Sequence, residues 1–203
     1  MTRSRYTGVA IGLHWLIAAL IVALIVIGLT MAHAPIAMAT KFQLYQLHKS
    51  IGISVLGLAV LRVLWRLTHR PPALPERMPQ LERKAAAGSH ALLYLFMIGL
   101  PLTGWALVSA SPLKIPTVLF GVLSWPDLPW LPHLADKARW SAVFDNIHAY
   151  GAFVLIALIG LHSAAALRHH FVVGDDVLHR MLPGVKPAGK TASDGAPSER
   201  TPT

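Results

Sequence analysis

Residues 147–167 read IHAYGAFVLIALIGLHSAAAL, an uncharged stretch of the chain with a histidine near each end. A helix of about 20 apolar residues is long enough to cross the hydrocarbon core of a bilayer. Three other stretches, 6–40, 50–61 and 85–113, also contain no Lys, Arg, Asp or Glu. The sequence therefore has room for four membrane spans.

The composition also indicates a membrane protein. Hydrophobic residues make up 54% of the 203 residues, charged residues make up 13%, and the mean hydropathy is +0.53. A soluble domain has about 25% charged residues, so this chain is unusually poor in charge. The absence of cysteine excludes disulfide bonds and cysteine-ligated metal sites. We predict an all-α integral membrane bundle of four helices. The predicted spans are 11–31, 47–67, 85–109 and 147–167.

The first span also has features of a cleaved secretory signal, because Arg3 and Arg5 precede it and a small-residue segment, 37–39, follows it. However, its apolar run is longer than the core of a typical signal peptide, and His14 and Trp15 interrupt its start. We therefore expect a retained transmembrane helix.

Cationic residues are distributed unequally between the two sides of the predicted bundle. Thirteen lie near the N-terminus, around the link between spans two and three, and after span four, whereas five lie on the opposite side. The positive-inside rule then predicts that both termini are cytoplasmic. Because the net charge of +9 is explained in this way, we expect no nucleic-acid binding. The five residues on the opposite side, called the outer cations, are Lys41, Lys49, Lys114, Lys137 and Arg139.

Two segments outside the spans have distinct compositions. Residues 112–144 are too polar and too rich in proline to cross the bilayer, and they contain three of the six tryptophans. Tryptophan favours the membrane interface, so this segment is predicted to form a periplasmic cap on the four-span domain, 1–183. Residues 184–203 offer almost nothing to bury and are predicted to be a disordered cytoplasmic tail.

The histidines follow the geometry of the predicted helices. His148 and His162 are 14 residues apart, nearly four helical turns, so they share one face of span four at a separation of about 21 Å. His14 begins span one at the inner side, where we expect it to face His162. His48 begins span two at the outer side, where we expect it to face His148.

Facing imidazoles at two depths are typical of a four-helix bundle that encloses two b-type haems, each with bis-histidine iron. A proton relay is the main alternative, but it would need carboxylates, and the spans contain none. A zinc site would need three or four ligands at one level. Nearby glycines would let a macrocycle approach the backbone, or would serve close helix packing. These glycines are Gly12, Gly52, Gly151 and Gly160.

Five segments carry a family resemblance: LHW at 13–15, HKSIG at 48–52, HALLY at 90–94, PLTG at 101–104 and GLHSAAALRHH at 160–170. In this order and spacing the chain resembles the bacterial di-haem cytochrome b561 family, from about residue 6 to residue 183. The resemblance implies a multi-pass protein of the bacterial inner membrane with two haem b groups. The implied iron ligands are His14, His48, His148 and His162, the same four that the spacing selects.

The resemblance also implies an activity, since the best-defined members of the family are similar to a superoxide oxidase. Superoxide would give up its electron at the periplasmic face, and ubiquinone would be the electron acceptor. The outer cations would then steer the superoxide anion toward that face. Alternatively, they are loop residues that balance nearby aspartates or contact haem propionates.

Three more histidines, at 90, 169 and 170, are predicted to lie near the inner face. Quinone reduction needs hydrogen-bond donors and a proton source, and histidine titrates in a useful pH range. We predict that His90 and His169 flank a quinone site, with Arg62 or Arg66 nearby. The structural alternatives are a propionate or backbone contact for His90 and a cationic interface anchor for the 169–170 pair.

Two other functions fit the same sequence. The protein would be a cytochrome b subunit or partner that passes electrons between another redox protein, such as a hydrogenase or a c-type cytochrome, and the quinone pool. Alternatively, it would be a non-redox transporter or scaffold with structural histidines. Haem content and the absorption spectrum separate the redox functions from the non-redox one.

Overall fold

The computed structural model describes residues 5–73 and 78–184, and within them four long helices dominate. This confirms the predicted all-α fold class. The long helices are α1 (Gly8–His33), α2 (Met38–Thr68), α3 (Gln80–Ser109) and α4 (Lys137–Arg168). The shorter elements are β1 (Thr117–Leu119), β2 (Leu123–Trp125), a 3₁₀ turn (Leu131–His133) and a π-helical turn (His169–Val173). The tail predicted over 184–203 lies outside the described residues from residue 185 onward.

Side-chain caps begin two of the helices. The Thr7 hydroxyl accepts a hydrogen bond from the Ala10 N–H at 3.2 Å, and the Asp136 carboxylate accepts one from the Arg139 N–H at 3.1 Å. The cap at Asp136 makes α4 begin at residue 137, ten residues before the predicted span. The last part of the predicted cap, 112–144, is therefore the beginning of α4.

The helices pack in the order of the chain, with α1 on α2, α2 on α3 and α3 on α4. A buried apolar cluster at the centre joins Ile17 and Ile21 of α1, Val55 of α2 and Leu155 of α4. In the described part of the chain, the backbone of α4 is not closely packed against that of α1 or α2. Leu155 is the buried side chain of α4 that reaches the central cluster of α1 and α2.

The outward faces of the helices are apolar and exposed. Val26 is 58% exposed, Leu95 64% and Leu161 63%, although all three lie in the middle or inner part of long helices. All four helices are long and apolar enough to cross a membrane. Lipid is the medium that covers such surfaces favourably, so the fold is a multi-pass membrane bundle.

A two-stranded antiparallel hairpin, β1–β2, covers one end of the bundle. The Val118 N–H donates to Gln46 Oε1 at 3.3 Å, and the Phe120 N–H donates to Ser50 Oγ at 2.9 Å. Both acceptors lie on α2, on either side of His48. The hairpin thus fixes the cap directly beside a predicted haem ligand.

The segment that follows α4 turns back over the opposite end of the bundle. Gly174 allows the turn, because its φ of 72° lies in the left-handed region that favours glycine. The Arg5 guanidinium then donates to the Leu182 carbonyl, and Trp15 Nε1 donates to the Met181 carbonyl at 2.8 Å. These bonds dock the segment on the beginning of α1.

Candidate functional site

The inner level of the bundle holds His14 of α1 and His162 of α4. Their ring centroids are 6.3 Å apart, and the ring planes make an angle of 70°. The structure thus brings together the two side chains that the sequence places at this depth.

The outer level repeats the arrangement with α2 and α4. The ring centroids of His48 and His148 are 6.2 Å apart, at an interplanar angle of 75°. Because 14 residues of α4 separate its two histidines, the two levels lie about 21 Å apart along the helix.

Hydrogen bonds on α3 orient the His148 ring. Its Nδ1 lies 3.1 Å from the Leu100 carbonyl oxygen and 3.1 Å from Thr103 Oγ1. A carbonyl only accepts, so we assign the proton to Nδ1, which leaves Nε2 with a free lone pair. A bond from the other ring nitrogen to a carbonyl is the usual support of a metal-binding histidine.

The facing ring, His48, lacks such a partner. Its Nδ1 is buried, and no hydrogen-bond partner for it lies in the described residues. A buried polar atom without a partner costs about 1–3 kcal/mol. A bound group that engages this imidazole would offset that cost.

Two glycines make room for the outer imidazoles. A Cβ at Gly104 would lie 3.1 Å from His148 Cε1, and a Cβ at Gly28 would lie 3.5 Å from His48 Cε1. The sequence pattern did not single out either residue. Of the glycines that it did single out, a Cβ at Gly151 would meet Leu100 Cδ2 at 2.8 Å, so this glycine serves helix packing. The other three, Gly12, Gly52 and Gly160, have nothing within 4 Å of such a Cβ.

The two pairs fit a b-type haem. Each pair brings together two imidazoles from different helices, with centroids 6.2 and 6.3 Å apart, and two imidazoles are a donor set that would hold a b-type haem. In addition, the loosely packed helix pairs, α4 with α1 and α4 with α2, are those that carry the facing histidines. No group of three or more His, Cys, Asp or Glu among the described residues is arranged to hold a metal ion.

A third imidazole, His90 of α3, lies at the inner level. Its ring centroid is 5.3 Å from that of His162, and its ring bonds to the backbone of Ala86. Arg62 is close enough to His14, His90 and His162 to interact with each electrostatically. The structure therefore brings Arg62 and His90 together beside the inner pair.

Tyr94, one turn after His90 on α3, holds the two arginines of α2. Arg62 Nε donates to the Tyr94 hydroxyl at 3.2 Å, and Arg62 Nη1 donates to the Ala10 carbonyl at 3.5 Å. The Arg66 guanidinium lies 5.6 Å from the centroid of the Tyr94 ring. A cation over an aromatic face at this distance is attractive.

His169, predicted to flank the quinone site, lies beside Asp175. Its Nδ1 lies 2.6 Å from the Asp175 carboxylate, and none of its described contacts reaches His90. The next residue, His170, packs its ring against His179, with centroids 4.8 Å apart.

The outer cations lie around the hairpin and the beginning of α4. Lys49 donates to the Pro116 carbonyl at 3.2 Å, and Asp127 is within its electrostatic range. Lys114 and Arg139 are exposed. None of the five forms a salt bridge within the described residues, so their charge is not neutralised by direct ion pairs there.

Comparison with known proteins identifies the fold. The sequence model of prokaryotic cytochrome b561 matches residues 5–184. The chain belongs to this family. It is 34% identical over 194 residues to "Cytochrome b561 homolog 2" of Escherichia coli (strain K12), a match that covers 95% of this chain and 96% of that protein. It is 31% identical over 185 residues to "Probable superoxide oxidase CybB" of Yersinia pestis, covering 88% and 96%. The "Cytochrome b561 homolog 1" of E. coli is 29% identical over 181 residues, covering 89% and 98%.

Membership of the cytochrome b561 family gives the general function. The protein is a multi-pass protein of the bacterial inner membrane that carries b-type haem and transfers electrons across the membrane. It is therefore an oxidoreductase. This removes the non-redox transporter or scaffold from consideration.

Sequence reasoning on this cytochrome b561 missed the residues that surround the histidines. Thr103 and Gly104 belong to the PLTG segment, which carried the resemblance without a role being assigned to it. Tyr94 follows His90 by four residues, a spacing that places both on one helix face, and this signal was available in the sequence. No sequence feature indicated that Gly28 lies beside His48.

Proposed function

We propose that this cytochrome b561 is a superoxide:ubiquinone oxidoreductase with two haem b groups. In the overall reaction, two superoxide anions each lose one electron and become dioxygen, and one ubiquinone gains two electrons and two protons. The observation that carries the proposal is the presence of two imidazole pairs at two levels of one bundle. When bound, haem b supplies reversible one-electron transfer at each level.

In this proposal His14 and His162 would hold the inner haem, and His48 and His148 would hold the outer haem. The outer ring best prepared to bind iron is His148, since its Nδ1 is already bonded to Leu100 and Thr103. Fixing the ring in this way reduces the ordering that binding must accomplish.

The outer cations are proposed to guide superoxide. A cluster of unneutralised positive charge raises the local concentration of a small anion and increases its rate of encounter. Lys49 immediately follows the proposed ligand His48, so part of this charge lies at the outer pair itself. The similarity to the Yersinia pestis protein supports superoxide as the substrate class.

The inner level is proposed to bind ubiquinone beside His90 and Arg62. His90 offers a ring nitrogen close to His162, and Arg62 offers guanidinium donors in the same place. Both can donate hydrogen bonds to a quinone oxygen. His169, paired with Asp175, is proposed to take up protons from the cytoplasm rather than to touch the quinone.

Both termini are proposed to be cytoplasmic, which puts the hairpin and the outer cations in the periplasm. The unequal distribution of Lys and Arg supports this orientation. Protease or tag accessibility at the C-terminus in sealed inverted membrane vesicles measures it directly.

The experiment uses purified protein in liposomes that contain ubiquinone. Haem content should be two per chain, superoxide should reduce the haem in stopped-flow mixing, and ubiquinol should accumulate. One haem per chain, or no ubiquinol after superoxide addition, would contradict the proposal.

A second function is favoured by the hairpin tip, where Phe120 is 62% exposed and Val122 is 88% exposed. An exposed apolar tip beside unpaired cations suits contact with an acidic redox protein. In that case superoxide would leave the haem oxidised, whereas a reduced periplasmic partner, such as a c-type cytochrome, would reduce it rapidly.

A further inference from the structure

A cleft separate from the histidine pairs lies at the inner end of the bundle, between the beginning of α1, the end of α2 and α3. Its interior holds only about 30 Å³, roughly the volume of one water molecule, so a ligand would lie at its open mouth. Four arginines line it, and no Asp or Glu is among its described lining residues. These arginines are Arg5, Arg62, Arg66 and Arg70.

All four arginines retain hydrogen-bonding capacity. Arg5 Nε is buried and has no hydrogen-bond partner in the described residues. The Arg66 guanidinium lies over the Tyr94 ring, and neither Arg66 nor Arg70 forms an ion pair within the described chain. Arg62 uses two of its five N–H donors, one for Tyr94 and one for Ala10. Most of the free donors therefore belong to Arg5, Arg66 and Arg70.

We propose that this cleft binds the phosphate group of an anionic phospholipid. The planar guanidinium fork matches the geometry of phosphate oxygens, and several arginines in one cleft repel each other until an anion is bound. Basic pockets between transmembrane helices at the membrane surface are suited to anionic headgroups.

The aromatic wall of the cleft places it at the membrane interface. Trp65 Nε1 donates to Thr7 Oγ1 at 2.9 Å, and the Trp65 ring stacks on His69 with centroids 3.9 Å apart. Tryptophan and tyrosine are enriched at the level of lipid headgroups, and Tyr6 also lines the cleft. A phosphate bound here would lie at the depth where lipid phosphates lie.

The cleft is distinct from the proposed quinone site. His90 and His162 are not among the residues that line it. Arg62 borders both places, but its bonds to Tyr94 and Ala10 hold it toward the bundle. The lipid proposal therefore does not depend on the identity of the electron donor or acceptor.

The test measures lipid binding to the delipidated, haem-loaded full-length protein by native mass spectrometry. Phosphatidylglycerol and phosphatidylcholine are titrated against the wild type, Arg66→Gln/Arg70→Gln and the control Lys84→Gln/Arg168→Gln. The control removes the same charge from the same side of the bundle, outside the cleft. We expect the cleft variant to bind phosphatidylglycerol at least about tenfold more weakly than wild type, and the control to stay within about twofold.

Two results would overturn the proposal. One is equal loss of phosphatidylglycerol binding in the cleft and control variants, which would show a nonspecific charge effect. The other is equal binding of the two lipids together with displacement by inorganic phosphate, which would assign the cleft to soluble phosphate instead. If the double variant does not fold, Arg70→Gln alone serves the test, because the Arg70 side chain makes no described bond.

Discussion

Replacing Gly104 by alanine tests whether this glycine sets the position of the outer imidazole. The added Cβ would lie 3.1 Å from Cε1 and 3.3 Å from Nδ1 of His148. Contacts this close require the His148 ring to shift by a few tenths of an ångström. One of the two crowded atoms, Nδ1, donates the hydrogen bond to the Leu100 carbonyl. The substitution therefore disturbs the bond that orients the His148 ring.

Gly104→Ala should have opposite effects on helix stability and on the affinity for the outer haem. Alanine is favoured over glycine in a helix by about 0.8–1.0 kcal/mol, so the helix itself should not be destabilised. Disturbing the partner of a metal-binding histidine weakens metal affinity by about 10–100-fold, equivalent to about 1.4–2.7 kcal/mol. We therefore expect Gly104→Ala to fold normally and to bind the outer haem about 10–100-fold more weakly than the wild type.

The assay is the transfer of haem from the protein to excess apomyoglobin, followed by absorption spectroscopy. Gly28→Ala is the matched control, because its Cβ would lie at an ordinary contact distance of 3.5 Å from His48 Cε1. Both variants should retain the inner haem, and only Gly104→Ala should lose the outer one readily. Equal retention of the outer haem in the two variants would refute the reasoning.

Three further predictions concern the levels and faces of the bundle. His48→Ala should leave one haem per chain, with the outer one lost, and His14→Ala should lose the inner one; the same residual spectrum in both variants would contradict the depth assignment. His90→Ala should retain both haems and slow ubiquinol formation about 10²-fold or more, as expected for a lost proton donor; unchanged kinetics would give His90 a packing role only. The rate of haem reduction by superoxide should fall as ionic strength rises, because the Debye length shortens from about 30 Å at 0.01 M to about 8 Å at 0.15 M. Lys114→Glu should reduce that rate at low salt, and a rate independent of both salt and this charge would exclude steering.

The sequence predicts four membrane-spanning helices because bilayer thickness requires a long apolar run, and the structure has four helices long and apolar enough to cross a membrane. Helix ends outside the bilayer depend on local caps instead. Asp136 caps α4 well before the apolar run, so residues 137–144, predicted from their polarity to belong to the cap, are helical. The hairpin was not foreseen either, since it depends on Gln46 and Ser50 of α2 to bond its strands.

Some features of the candidate site could be predicted from the sequence, and others could not. The depth of each histidine follows from the rise per residue of a helix, so the pairing of His14 with His162 was predictable from numbers alone. Contacts between helices depend on their crossing angles and rotations, which the sequence does not specify. For this reason neither the approach of Gly104 to His148 nor the bond from Arg62 to Tyr94 was predicted.

The loose packing of α4 against α1 and α2 has a consequence for biogenesis. The closely packed helix pairs α1–α2 and α3–α4 are joined by direct backbone packing mainly through α2 and α3. Bound haem would supply the remaining contacts of α4 with α1 and α2 and would complete the core of the bundle. We expect haem supply to govern how much mature protein accumulates, since chains made under iron limitation would have a fourth helix joined closely to α3 but not to α1 or α2.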